Sequence, residues 1–225
     1  MANVVVFGHA EMARMTHFYL HHDSPHEVVA FTVDRTRISE VSLLGRPIVP
    51  FEDIQTLYPP AEYRMAVPIA FSRVNRLRAA KYQEAKAKGY ELISYVSSKA
   101  TTWPDLTTGD NCFIYENSAV GPYVTIGNDV IIAGSSIAHD SVIGDHCFLA
   151  AHAVVLGTVT VGEYSVLGAN STCRDGITIG GGCIIGAGVT MTRSAADRGV
   201  YVSRPAERLP KSSDVLSDWL NWPVK

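Results

Sequence analysis

The chain has 225 residues, a formal net charge of -3 at neutral pH and 47% hydrophobic residues. This length supports one large or two modest domains, each able to bury its own core, and the charge balance does not indicate nucleic-acid binding. The first residues lack a signal-peptide pattern and no apolar run approaches the ~18 residues of a membrane span, so the sequence predicts a cytoplasmic protein without stable membrane insertion.

The amino-terminal part of the chain alternates between strand and helix patterns. Strands are predicted at residues 3–7, 28–33, 65–71 and 91–96. A helix is predicted directly after a turn at Gly8, and another over residues 74–88. The alternation favours a small Rossmann-like α/β domain over residues 1–102. Ligands are expected at the carboxyl ends of its parallel strands, near Gly8, Asp34 and Ser72.

The rest of the chain is dominated by a period of six residues. Every sixth position is apolar in one unbroken frame: Ile143, Leu149, Val155, Val161, Leu167, Cys173, Ile179, Ile185 and Met191. A step of six turns an α-helix by about 240°, which would scatter these side chains around its axis. The period therefore predicts a parallel β-helix, with periodic side chains inside and glycines at tight corners. We place this domain at residues 103–208.

The four cysteines are expected to be reduced core thiols. They form no CxxC pair, and Cys173 occupies one of the inward periodic positions. A zinc site built from them is not expected.

Three runs in the repeat resemble the hexapeptide repeats of left-handed β-helix acyltransferases, namely residues 161–166, 179–184 and 185–190. Residues 202–206 resemble the short Pro-Ala motif that closes those domains. The order of the two domains resembles the bacterial acetyltransferases of sialic acid and bacillosamine biosynthesis, which act on nucleotide-linked amino sugars. The resemblance implies a left-handed β-helix, acetyl-CoA as co-substrate, no metal, and a homotrimer with sites between subunits.

A histidine followed by an acidic residue is the general base and its partner in that family, and His139 and Asp140 match the pair. Acetyl transfer to an amine or hydroxyl needs a base that removes the acceptor's proton as the new bond forms. A neutral imidazole suits this task at neutral pH, and a neighbouring carboxylate can hold it in one tautomer. The one-residue slip of the hexad frame falls directly before His139.

The family's acetyl-CoA contacts fall on small residues of this chain, namely Gly157, Ala169 and Ala187. Family members usually carry another histidine where this chain has Phe148. Either the aromatic ring packs on the pantetheine arm or His146 or His152 replaces that contact; a plain surface role for His146 is the other alternative. Arg193 and Arg204 are candidates for the phosphates of coenzyme A.

The predicted nucleotide-sugar site departs from the family at its first turn. A glycine-rich loop is replaced by Gly8, His9 and Ala10, which leaves less room for a pyrophosphate. Asp34 stands where relatives hold acidic residues near the nucleotide, and Ser72 aligns with a substrate-contacting glycine. The alternative is a degenerate α/β domain that only docks against the β-helix.

The sequence is also compatible with other functions. The acceptor group could be a hydroxyl of a surface polysaccharide or lipopolysaccharide sugar, or the chain could be a non-catalytic binding or assembly module. The histidines His139, His146 and His152 also suggest a γ-type carbonic anhydrase, but their spacings of seven and six do not fit its zinc ligands. The tail, residues 209–225, is predicted to contain a short helix that covers part of the β-helix.

Overall fold

A computed structural model describes residues 1–208 and Pro210. The predicted tail helix lies outside these residues. Within them, no helix is both long enough and apolar enough to cross a membrane.

The amino-terminal part is a five-stranded sheet with helices. Its strands are β1 (Asn3–Phe7), β2 (Glu27–Val33), β3 (Ser42–Leu43), β4 (Arg46–Pro50) and β5 (Tyr63–Ala66). Its helices are α1 (Glu11–Asp23), α2 (Ile54–Leu57) and α3 (Arg76–Ala87), with short 3-10 turns at Arg35–Arg37 and Phe51–Asp53. The strand order is β3-β4-β2-β1-β5, and all neighbours are parallel except β3 and β4. Strand β1, which lies between β2 and β5, is apolar and buried throughout Val4–Phe7, as a strand covered on both faces requires.

Two of the predicted strands differ from the structure. The third strand ends at Ala66, and the chain continues to Ala70 without strand pairing. The segment predicted as a fourth strand divides its pairing between the two parts of the molecule. Leu92 forms a parallel bridge with Met65 of β5, whereas Tyr95–Val96 pairs with the first coils of the repeat region. The boundary predicted at residue 102 stays a prediction.

The repeat region is a prism built from two-residue parallel strands. They are β6 (Tyr95–Val96), β7 (Thr107–Thr108), β8 (Phe113–Ile114), β9 (Ala119–Val120), β10 (Thr125–Ile126), β11 (Ile131–Ile132), β12 (Ser136–Ile137), β13 (Val142–Ile143), β14 (Phe148–Leu149), β15 (Val154–Val155), β16 (Thr160–Val161), β17 (Val166–Leu167), β18 (Thr172–Cys173), β19 (Thr178–Ile179), β20 (Ile184–Ile185), β21 (Thr190–Met191) and β22 (Val200–Tyr201).

These strands stack into three sheets, which we call faces 1, 2 and 3. Face 1 contains β6, β8, β11, β14, β17, β20 and β22; face 2 contains β9, β12, β15, β18 and β21; face 3 contains β7, β10, β13, β16 and β19. The chain runs from face 1 to face 2 to face 3 in each coil. The fold is thus a small α/β domain followed by a left-handed parallel β-helix, as the sequence predicts.

The hexad positions fill the interior of the prism. All nine positions from Ile143 to Met191 are at most 6% exposed and belong to one core cluster. The frame slip corresponds to a short corner, in which three residues separate β11 from β12 instead of four.

The glycines that directly follow the inward positions have a different role from the predicted one, whereas Gly176, Gly182 and Gly188 do occupy left-handed corners. At Gly162 and Gly168 an added Cβ would lie 2.5–2.6 Å from a backbone nitrogen of the next coil. Glycine is therefore needed because stacked coils approach each other closely. Other left-handed corner positions carry larger residues, among them Asp140, His146 and His152. His146 and His152 hence lie at corners between strands, with φ of 60° and 58°.

The α/β domain packs on face 1. Outward side chains of this face, including Phe113, Ile131 and Phe148, share one buried apolar cluster with Val4, Val6 and Leu20 of the α/β domain. This contact fixes which side of the prism carries the α/β domain.

Candidate active site

His139 and Asp140 form a hydrogen-bonded pair on the edge between faces 2 and 3. The distance from His139 Nδ1 to Asp140 Oδ2 is 2.8 Å, and the two side chains are 57% and 53% exposed. Asp140 adopts the left-handed corner conformation, with φ of 57°. When Nδ1–H donates to the carboxylate, the neutral imidazole carries its free lone pair on Nε2. The pair can therefore accept a proton from a group outside the prism.

Gly157 lies directly beneath this imidazole, one coil further along the same edge. A Cβ at Gly157 would be 2.7 Å from His139 Nε2 and 2.8 Å from Cε1, closer than real contacts allow. The amide N–H of Gly157 donates to Asp175 Oδ1 at 3.1 Å. The sequence proposes Gly157 as a cofactor contact, and the structure shows that its missing side chain makes room for the histidine ring.

Two other predicted cofactor residues do not share that edge. Ala169 and Ala187 follow β17 and β20, so they lie on the edge between faces 1 and 2, where Gly188 N donates to Ala169 O at 2.9 Å. Arg193 follows β21 on the edge of His139, and Arg204 is exposed beyond the last strand. Face 2 is thus bordered by His139 and Gly157 on one edge and by Ala169 and Ala187 on the other.

Phe148 lies in the contact between the two domains. It is 8% exposed, and its ring meets the edge of Phe71 at 5.1 Å between centroids. It belongs to face 1. Its contact with the pantetheine arm stays a prediction.

His146 is buried among polar and aromatic partners. It is 5% exposed, and its Nδ1 lies 2.7 Å from Asp129 Oδ2. The rings of Tyr82 and Tyr164 pack against it, at 5.5 and 4.8 Å between centroids. His152 is exposed at the edge between faces 1 and 2. His139, His146 and His152 therefore have separate surroundings and do not form one histidine cluster.

A cavity of about 310 Å³ opens at the carboxyl ends of β1 and β2. Its volume is within the range of small-molecule sites. The predicted substrate residues Gly8, His9, Ala10 and Ser72 all line it. Gly8 has φ of +116°, a conformation suited to glycine. The sequence therefore locates four residues of one cavity from two separate segments.

Asp34 has a different environment from the other predicted substrate residues. Its carboxylate lies 2.6 Å from Lys81 Nζ, and the Lys81 side chain is only 12% exposed. Burial opposes the charged form of Lys81, but its hydrogen bonds to Asp34 and Glu84 outweigh burial and raise its pKa. Asp34 is thus held by a permanent cation and does not line the cavity.

Arg37 also lines the cavity and is not among the residues predicted from the sequence. It lines the cavity three positions after Asp34, at the end of the short turn that follows β2. Among the residues that the structure describes, no carboxylate lies within ion-pair distance of Arg37. The Arg35-Thr36-Arg37 run was the available sequence signal, since it follows the predicted end of a strand.

The cysteines do not provide a nucleophile. Cys112, Cys147 and Cys173 are fully buried, and burial raises the pKa of each thiol to about 12. A thiol with such a pKa stays protonated and unreactive at neutral pH. Cys183 is also buried and free.

Two family models match the β-helix. The model described as bacterial transferase hexapeptide (six repeats) matches residues 140–175, and the model described as hexapeptide repeat of succinyl-transferase matches residues 158–193. A comparison with curated protein sequences gives no match.

Solved structures match over nearly the whole chain. A histidine-to-asparagine variant of perosamine N-acetyltransferase from Caulobacter crescentus, in complex with CoA and GDP-perosamine, is 26% identical, with 89% of this chain and 93% of that chain covered and a TM-score of 0.81. The acetyltransferase domain of PglB from Neisseria gonorrhoeae, in complex with acetyl coenzyme A, is 19% identical, with coverage of 92% and 98% and a TM-score of 0.77. WeeI from Acinetobacter baumannii is 20% identical, with coverage of 93% and 100% and a TM-score of 0.76. The PglB domain and WeeI, at 19% and 20% identity, are similar to this chain in fold.

Proposed function

We propose that this hexapeptide-repeat acyltransferase transfers the acetyl group of acetyl-CoA to the amino group of a nucleotide-linked amino sugar. The observation that carries the proposal is the His139–Asp140 pair, whose Nε2 lies over Gly157 at an edge of the prism. The similarity to the perosamine N-acetyltransferase complex supports the choice of an amino sugar and a nucleotide. A cytoplasmic location and the domain division at residue 102 belong to the same proposal.

In the proposed reaction His139 acts as the general base. The acceptor nitrogen attacks the thioester carbonyl carbon while Nε2 takes up its proton. The carbon–sulfur bond then breaks, and the departing thiolate receives the proton, so that the products are the N-acetyl sugar and free CoA. Asp140 holds the Nδ1–H tautomer and stabilises the imidazolium that forms in between. No acyl-enzyme is required.

The cavity of the α/β domain is the proposed site for the nucleotide part of the acceptor. It brings together Gly8, His9, Ala10 and Ser72, and Arg37 adds a cationic side chain that has no carboxylate partner within the described part of the chain. A guanidinium can form paired hydrogen bonds with a phosphate. We therefore assign the charged contact to Arg37, in place of the predicted Asp34.

The position of the cavity relative to His139 supports a site between subunits of the proposed homotrimer. The α/β domain packs on face 1, and His139 lies on the edge opposite that face. Within one chain, the prism thus separates the acceptor cavity from the proposed base. A second copy that supplies its own face 2–3 edge would complete the site, and a closed ring of three such contacts makes all sites equivalent.

The test is release of free CoA from acetyl-CoA in the presence of nucleotide-linked amino sugars and their hydroxyl counterparts. We expect release with an amino sugar, and a decrease of about 10²–10⁴-fold in turnover for His139→Asn. His139 is more than half exposed, so the variant should keep the oligomeric state and melting temperature of the wild type.

The other outcomes distinguish the alternatives. Release only with a hydroxyl sugar would indicate O-acetyl transfer. Absence of release, together with absence of acetyl-CoA binding in calorimetry, would indicate a non-catalytic module. Wild-type turnover of His139→Asn would show that another group is the base.

A further inference from the structure

A buried arginine joins the α/β domain to the β-helix. Arg78 lies in α3 and is fully buried. Its guanidinium donates to two acceptors in its own domain and three on the prism: Ile69 O at 3.0 Å, Asn75 Oδ1 at 3.1 Å, Asp129 O at 2.9 Å, His146 O at 2.9 Å and Cys147 O at 3.0 Å. One planar group therefore fixes two structural units to each other.

The charge of Arg78 is balanced within the contact. Asp129 is also fully buried, and its Oδ2 lies 3.1 Å from Arg78 Nε and 2.7 Å from His146 Nδ1. Its Oδ1 accepts from Asn111 Nδ2 at 2.6 Å. Burying such a pair costs much of what its attraction gains, so its main contribution is to geometry instead of net stability. The fork shape of arginine suits that role, because each donor has a fixed direction.

Two groups that accept hydrogen bonds from Arg78 link this contact to the cavity proposed for the acceptor sugar. Ile69 lines the cavity, and its carbonyl is held by Arg78 Nη1. Asn75 ends a left-handed turn that begins at Arg73, directly after Ser72 of the cavity. The Asn75 side chain also donates to the carbonyl oxygen of Tyr164 on the prism, at 3.0 Å. The cavity wall is thereby tied to the β-helix.

We propose that Arg78 is a positioning residue, which holds the acceptor cavity in a fixed place relative to the β-helix and hence to the His139 that it serves. The inference rests on the proposed function for its catalytic consequence, although the position itself can be measured separately. Displacement of a bound substrate by about 1 Å can lower turnover by on the order of 100-fold.

Two variants test the inference. Arg78→Lys keeps the charge opposite Asp129 but loses the fork. The double variant Arg78→Met with Asp129→Asn removes both charges, so that neither is left buried without a partner. The matched control is Lys86→Met, because Lys86 also pairs across the two domains, with Asp110, but is 43% exposed.

The first measurement is the distance between spin labels on the two domains. Cysteines introduced at the exposed positions Glu62 and Thr178 would carry the labels, since the four native cysteines are buried. Labelled chains are diluted with unlabelled chains, so that only distances within one chain are observed. We expect a single narrow distance in the wild type and in Lys86→Met, and a broadened or shifted one in both Arg78 variants. An unchanged distribution in both would overturn the inference.

The second measurement is steady-state kinetics combined with calorimetric binding. We expect kcat of the Arg78 variants to decrease on the order of 100-fold while KM for acetyl-CoA and the number of acceptor molecules bound per chain stay the same. A decrease in kcat matched by an equal loss of binding stoichiometry would show a purely structural role and overturn the inference, as would unchanged kcat despite altered distances. If the wild type transfers no acetyl group, the proposed function fails, and the spin-label distances still decide the positioning role.

Discussion

At the scale of single residues, the position of the proposed base His139 depends on the absence of a side chain at Gly157. The imidazole of His139 occupies the space where any residue larger than glycine at position 157 would place its Cβ. Gly157 does not have a positive φ, so alanine would introduce no backbone strain there. The requirement for glycine comes from the histidine above it.

Gly157→Ala should therefore impair the reaction while leaving the fold intact. The new Cβ would lie 2.7 Å from Nε2, so the imidazole must leave the position in which it pairs with Asp140 at 2.8 Å. We expect kcat to decrease by about 100-fold, at the lower end of what a general base contributes. Steady-state kinetics and thermal melting measure the two effects separately.

The control is Gly181→Ala, at a glycine whose added Cβ would meet its nearest atoms at 3.4 and 3.7 Å, which is ordinary contact. It should keep the wild-type kcat. If Gly157→Ala also kept it, the imidazole position would be irrelevant to the reaction.

A second prediction concerns the charged residue of the cavity. Arg37→Ala should raise KM for the nucleotide-linked acceptor by about 10–100-fold, the equivalent of the ~1.5–3 kcal/mol of a charge-assisted hydrogen bond. KM for acetyl-CoA should stay the same. Arg37 is exposed, so the melting temperature should not change.

Asp34→Asn is the comparison for Arg37, because the sequence predicted Asp34 as the contact. Its amide oxygen can still accept from Lys81, and the side chain does not line the cavity. We expect an unchanged acceptor KM. A large increase in this variant, with none in Arg37→Ala, would restore the original assignment.

At the scale of structural elements, the β-helix was predictable because its pattern reports local burial. Each coil places the same position inside the prism, so the hexad period and the interior coincide. The strands β3 and β4 left no comparable signal, because β3 has two residues and β4 contains two prolines and is partly exposed. The segment 91–96 has the composition of one strand. Its division became visible only from the pairing, in which Leu92 pairs with β5 and Tyr95–Val96 pairs with β8.

The candidate site was predictable to the extent that it depends on neighbours in sequence. His139 and Asp140 are adjacent, and their hydrogen bond needs no distant partner. The roles of Asp34 and Arg78 depend on partners that lie 47 and 51 residues away in the chain. Spacing does not contain that information.

A prediction at this scale concerns the last residue of α1. Asp23 accepts from Ser98 N at 2.8 Å and Tyr95 Oη at 2.7 Å, which attaches the helix to the start of the β-helix. The hydrogen bonds from Ser98, followed by that from Tyr95, hold the pKa of Asp23 well below its ordinary value. A lowered pKa in the folded state stabilises the protein above the unfolded pKa of about 3.9, and this stability is lost as pH falls through the folded value.

Asp23→Asn should therefore lower the free energy of unfolding at neutral pH by about 1 kcal/mol, a value reduced for solvent screening. The difference from wild type should shrink as pH falls below about 4. Urea unfolding at several pH values measures both effects. Asp53→Asn serves as control, since its pair with Arg35 is 47% and 57% exposed and should contribute little at any pH. A constant difference down to acid pH would contradict the assigned cause.

At the scale of the whole molecule, the prism is the feature that separates the two halves of the proposed site. The acceptor cavity lies in the domain on face 1, and His139 lies on the edge opposite that face. Arg78 keeps the cavity fixed to its own prism. A rigid chain of this shape cannot bring its own cavity to its own base, so each site should combine residues of two chains.

Mixed oligomers test this arrangement. Chains that carry His139→Asn retain an intact cavity, and chains that carry Arg37→Ala retain an intact base. In trimers assembled from equal amounts of both chains, half of the cavities and half of the bases are intact. If each site combines the cavity of one chain with the base of another, about one quarter of the sites should have both parts intact. At low acceptor concentration, coexpressed chains should therefore recover about one quarter of wild-type turnover. A mixture of separately assembled homotrimers should stay at about 5% of wild-type turnover or less, because only the Arg37→Ala homotrimers keep a base and their acceptor KM is raised about 10–100-fold. If native mass spectrometry confirmed mixed trimers but turnover did not recover, the cavity and the base would belong to the same chain, because only that arrangement leaves every site with one defect.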